Sequence, residues 1–129
     1  MKIKHYVEES FGNKPSFIIE MGGKEYISSG CVFMENTQEN IDELVSKYDC
    51  GYYLNELFGS KEILTSEIIN ASCMFKGCTS LVEVNSDFSN VTDASCMFSG
   101  CTSLTTVSSD FSNVTNARCM FKGCVNKSH

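Results

Sequence analysis

The chain has 129 residues, 42% of them hydrophobic and 20% charged, with one proline and a formal net charge of −6. That is enough chain and apolar surface for one domain, or one small domain with an appendage, and it excludes a disordered tail. It also weighs against direct nucleic-acid binding: residues 1–70 hold six lysines against twelve acids, whereas a phosphate binder needs an excess of Lys and Arg.

The opening "MKIKHYVEESFGNKP" carries lysines but no apolar h-region, and no apolar run approaches the roughly 20 residues that cross a bilayer. No export signal, no membrane contact and a cytoplasmic home are therefore expected. "KIKHYV" alternates as a strand does. "SFIIEMGGKEYIS" is two apolar runs joined by Gly22-Gly23, a hairpin signal, and "CVFME" continues as a further strand. "NTQENIDELVSKY" has helix-start residues at Asn36 and Thr37, with Ile41, Leu44, Val45 and Tyr48 at helical spacing. Residues 1–54 are expected to form a small α/β capping unit.

Beyond it the chain repeats. "ASCMFKGCTSLVEVNSDFSNVTD" (71–93) aligns without gaps on "ASCMFSGCTSLTTVSSDFSNVTN" (94–116), a period of 23 residues, and a partial third unit covers 117–124. The two full units differ only at Lys76/Ser99, Val82/Thr105, Glu83/Thr106, Asn85/Ser108 and Asp93/Asn116. A degenerate unit at 55–70 matches Gly59 to Gly77 and Ile63 to Leu81. Units this small cannot bury their own apolar face, so they are expected to stack and share a core. Leu81 and Val84, with Leu104 and Val107, suit short parallel strands; Phe88, Val91, Phe111 and Val114 suit the return side. "SDFSN" supplies turn chemistry between them.

The units, with "MFxGCTSLxxV…SNVT" at their centre, resemble the BspA-like leucine-rich-repeat family of bacterial surface proteins. The resemblance covers 71–124 well and 55–70 weakly. It implies an α/β fold, a short leucine-rich-repeat-like solenoid with parallel strands occupying 55–129 and capped by the N-terminal unit. It also implies adhesion or protein binding, and it brings no catalytic residues.

Six of the eight cysteines fall in the repeated "CMFxGC". Zinc sites pair cysteines two to four residues apart, whereas these are five apart, about 140° round a helical turn. A reducing compartment weighs against disulfides. Met74, Phe75 and Cys78 share one face of such a turn, so Cys78, Cys101 and Cys124 are expected as a buried column. Cys73, Cys96 and Cys119 would point toward the opposite side, beside Lys76. Cys31 and Cys50 read as ordinary buried cysteines. No glycine-rich phosphate loop and no nucleophile–base pair is visible, so neither enzymatic activity nor a cofactor is expected.

The reading is a noncatalytic protein-binding module. Positions that vary between units would tune recognition: Val82, Glu83, Asn85, Thr105, Thr106 and Ser108 on one face, and Lys76, Ser99 and Lys122 on another. An alternative is a small phage- or mobile-element-encoded inhibitor whose acidic residues Glu39, Asp42 and Glu43 block a nucleic-acid-binding host protein. A second alternative is a cysteine-based zinc or thiol protein. A monomer is expected, with the strand edge at 104–107 as the place where a second copy would pair.

Overall fold

The computed structural model describes residues 1–8, 14–30, 32–48 and 51–124. Four strands, β1 (Lys2–Val7), β2 (Ser16–Met21), β3 (Lys24–Ser29) and β4 (Val32–Glu35), form an antiparallel sheet in the order β1-β2-β3-β4. Gly22 and Gly23 join β2 to β3 with φ of 62° and 80°. Two consecutive left-handed residues make the tight turn whose twist suits a hairpin, and glycine adopts them without a Cβ clash.

β2 is buried on both faces, which is why "SFII" reads as a continuous apolar run. Successive strand side chains point to opposite faces. Phe17 and Ile19, with Ile3, join the core of the repeats, whereas Ile18 and Ile27 join Leu44, Leu54 and Leu57 from two helices. Those helices are α1 (Gln38–Tyr48) and α2 (Gly51–Phe58). Thr37 caps α1, its Oγ1 accepting from Asn40 N–H at 3.2 Å, and Glu39 and Lys47 sit at the ends that favour their charges. The sheet is thus a middle layer, with helices on one side and repeats on the other.

The repeats contribute little regular structure. Their only strands among the described residues are β5 (Glu83–Val84) and β6 (Thr106–Val107), a parallel pair. The expected α/β leucine-rich-repeat-like solenoid with parallel strands is therefore corrected: the chain is a four-stranded antiparallel sheet with two helices and one two-stranded parallel pair, and no solenoid is detected. The physical reason lies in the flanking residues. Ser, Asp and Asn on either side of "LVEV" and "LTTV" bond their own backbone, as Asp87 does to Ser89 N–H at 2.9 Å, and they end each strand after two residues.

"CMFKGC" is also not the helical turn that the sequence suggests. Cys73, Cys96 and Cys119 have φ of 59°, 55° and 56°, and Gly77, Gly100 and Gly123 have φ of 77–82°. Along 71–77 the amides alternate. Met74 and Lys76 close onto the carbonyls three residues back, while Ala71 donates to Asp93 at the end of its own unit and Cys73, Phe75 and Gly77 donate to Ser95, Met97 and Ser99 in the next, all at 2.8–2.9 Å. Ala94, Cys96, Phe98 and Gly100 repeat this onto Asn116, Arg118, Met120 and Lys122. The cysteine's left-handed backbone is part of this alternation, and it costs a residue with a Cβ about 1–2 kcal/mol.

Side chains follow the backbone register. Phe75 stacks on Phe98 at 5.6 Å between centroids and Phe98 on Phe121 at 5.5 Å, beside Phe88 and Phe111 at 6.2 Å. The sheet meets the first unit through Phe33 and Phe75 (6.3 Å) and through Ser28 Oγ, which donates to Met74 O at 2.6 Å. Tyr6 N–H donates to Ser60 Oγ at 2.9 Å, and Ile63 bridges Ile3 of β1.

Two outcomes are expected in denaturant unfolding. Ser28→Ala leaves a buried carbonyl without its donor and should cost about 1–3 kcal/mol; a change within error would show that this joint does not hold the layers together. Cys96→Gly should stay within about 0.5 kcal/mol of the parent while Cys96→Val loses about 2 kcal/mol, because only glycine accepts the left-handed backbone freely. Equal effects would contradict that backbone assignment.

Candidate protein-binding face

Val82, Glu83, Asn85, Thr105, Thr106 and Ser108 lie together on the outer surface of β5 and β6, and all six are exposed. Val82 is 52% exposed, unusual for a valine in a folded unit. Beneath them Leu81, Val84 and Leu104 are buried. The row is pinned by its backbone: Glu83 faces Thr106, Val82 O accepts from Thr105 N–H at 2.8 Å and Thr105 Oγ1 at 3.2 Å, and Val84 O accepts from Ser108 N–H at 2.9 Å. Next to it run two carboxylates, Asp87 and Asp110. The side chain and backbone of Ser89, and the backbone and side chain of Ser112, hold them below the usual carboxylate range.

The second proposed row is broken. Lys122 is exposed and Lys76 half-buried, but Ser99 is buried, its carbonyl taken by Gly77 N–H at 2.8 Å. Glu39, Asp42 and Glu43 are exposed on α1, with Asp42 accepting from Gln38 Nε2 at 2.8 Å. They belong to the helical layer, on the other side of the sheet from the repeats, so the structure does not join them to the β5–β6 row.

Sequence reasoning missed a groove beside that row. A cavity of about 380 Å³ is walled by Met21, Gly22, Lys24 and Tyr26 of the β2–β3 hairpin and by Leu81 and Glu83 of the first unit. Its walls come from segments distant in the chain, and no local signal announces it. A smaller cavity of about 250 Å³ lies between Met1–Ile3 and Glu62–Ser66.

Residues 54–129 match the family described as "Mycoplasma protein of unknown function, DUF285". The chain belongs to the DUF285 family. This match overturns the expected membership of the BspA-like leucine-rich-repeat family, since no leucine-rich-repeat family matches. No curated protein and no solved structure matches the chain.

In these DUF285 units the two cysteine columns differ in kind. Cys101 Sγ donates to Phe75 O at 3.1 Å and Cys124 Sγ to Phe98 O at 3.0 Å, so each thiol reaches back into the preceding unit. Burial, with the neighbouring Cys78 and Cys124 thiols, pushes the Cys101 thiol up to about 12. Burial likewise raises Cys78. The first column grades outward: Cys73 is buried rather than turned to the opposite surface, Cys96 half-buried and Cys119 exposed. No group of three or more His, Cys, Asp or Glu among the described residues could hold a metal. Cys31, Cys50 and His129 lie outside the described residues. No helix among the described residues is long and apolar enough to cross a membrane.

Among the six described cysteines, site-resolved alkylation of the folded chain near pH 8 should label Cys119 first and Cys101 last, because only the thiolate reacts. The Cys101 thiol keeps its proton to a higher pH when folded than at its ordinary value of 9.0. Its stabilising contribution is therefore complete below pH 9 and is lost as pH rises toward 12. Denaturant unfolding of the parent should lose stability across that window, with Cys101→Ala losing less. Similar labelling rates, or identical pH profiles, would refute the buried column.

Proposed function

We propose that this chain is a noncatalytic protein-binding module of the cytoplasm whose partner sits on the outer face of β5 and β6. One observation carries the reading. Of the five differences between two otherwise identical units, three fall at Val82/Thr105, Glu83/Thr106 and Asn85/Ser108, and every one of these six residues is exposed on that face. Buried positions are repeated because the core repeats, whereas a face free of packing constraint can be fitted to a partner. Its mixture of an exposed valine, hydroxyls, an amide and one carboxylate suits a protein surface, where apolar contact and directional polar groups act together.

A second reading is favoured by the exposed carboxylates of α1. There the chain is an inhibitor whose Glu39, Asp42 and Glu43 occupy the site where a host protein holds nucleic acid. The layered fold keeps the two surfaces apart, so one experiment separates the readings. The parent, a Thr106→Arg/Ser108→Arg variant and a Glu39→Lys/Asp42→Lys/Glu43→Lys variant serve as baits in the native host, with quantitative mass spectrometry of captured proteins. The partner should fall about tenfold or more with the β6 variant and hold with the α1 variant. The reverse pattern would transfer the function to α1, and capture unchanged by the β6 variant would refute the first reading.

A further inference from the structure

Among the described residues, the ladder between units is interrupted beneath β5. Beneath residues 88–93 the degenerate unit supplies partners: Asn90 Nδ2 donates to Ser66 O at 2.7 Å, and Thr92 N–H donates to Ile69 O at 2.9 Å. Beneath β5 it supplies none among the described residues, because Ile63 pairs with Ile3 of β1 instead. β5 therefore has one edge covered by β6 and one edge facing the groove behind the β2–β3 hairpin.

The backbone direction of that second edge follows from the first. Val82 O and Val84 O accept from β6, and the peptide groups of a strand alternate sides. The N–H and C=O of Glu83, and the N–H of Asn85, thus point away from β6, toward the groove. Neither amide donates to any described residue. Glu83 lines the groove and makes no ion pair with any described residue, whereas Lys24 on the opposite wall is held by Glu35 at 3.7 Å. The uncompensated charge of the groove is negative.

We infer that this groove binds an extended peptide as an additional parallel strand on β5, with a Lys or Arg opposite Glu83. The chain's own pairing supplies the register, since Glu83 faces Thr106 and Val84 faces Val107. An occupant in the same register accepts from Glu83 N–H, donates an amide to Glu83 C=O two residues later, and accepts from Asn85 N–H with that second residue's carbonyl. Main-chain bonds of this kind give strand addition its affinity and side-chain pockets give its selectivity. Val82 and Met21 provide the apolar contact, and Glu83 provides the charge selection. The inference deepens the reading of this face as protein-binding and rests on it.

The probe is a labelled heptapeptide, SLVKVNS, which is the chain's own Ser80–Ser86 segment with Lys in the place of Glu83. Titrated to about 1 mM, the range of a small single-strand contact, it should bind saturably and shift the amide resonances of Glu83, Asn85 and Gly22. N-methylation of its second valine should weaken binding about tenfold by removing one main-chain bond. SLVEVNS should bind more weakly to the parent and recover on Glu83→Lys, which is a surface change with circular dichroism as the folding check. Thr106→Arg/Ser108→Arg should leave peptide binding intact. Absence of saturation, equal binding of the N-methylated peptide, or shifts confined to other residues would each overturn the inference. If the peptide fails while partner capture still depends on Thr106 and Ser108, the groove is refuted and the face stands.

Discussion

Backbone hydrogen bonds between successive units are the interaction on which the rest of the molecule depends. Each unit sends alternate amides of its first eight residues forward and alternate amides of its later residues back, as Gly77 does to Ser99 and Thr105 does to Val82. A chain cannot alternate in this way within a helix, where every amide turns to the residue four back. The left-handed residues at the first cysteine and at the glycine of each "CMFxGC" are the geometric condition for it. Once the backbone is set, like side chains fall on like, and the aromatic and thiol columns follow without further instruction.

The same lattice explains the cysteines. The second of each pair is small enough to sit inside the stack, and in Cys101 and Cys124 its thiol is a weak second donor to a phenylalanine carbonyl of the unit before, which already accepts one backbone amide. The first is selected by backbone shape, and its burial depends on how much chain covers its unit. Neither role calls on thiol chemistry.

Much of the burial was legible in the sequence, and much less of the connectivity. The 23-residue period, the inward Leu81, Val84, Phe88 and Val91, the Gly22-Gly23 turn and the capped helix at Gln38 are all local patterns, and local patterns survive folding. Hydrophobic spacing reports which side chains leave water; it does not report which amide meets which carbonyl. That is why "LTTV", expected as a short strand, contributes only two residues, and why the antiparallel sheet dominates a chain whose repeats suggested parallel strands. The double-sided burial of β2 is visible only as an apolar run, and its two destinations depend on elements up to a hundred residues away, such as Met120. The candidate face was legible because two units differ there. The groove was not, since a hairpin turn and a distant unit assemble it.

The register of this lattice leaves its mark on how the chain can change over generations. One residue inserted between Ala71 and Asn116 would put out of register every amide–carbonyl pair and every phenylalanine pair that spans it. Loss or gain of a whole 23-residue block would leave all of them in place. The repeats therefore lengthen or shorten most readily in whole steps, and between such steps drift falls mainly on positions that point outward, as at three of the five places where the two full units differ.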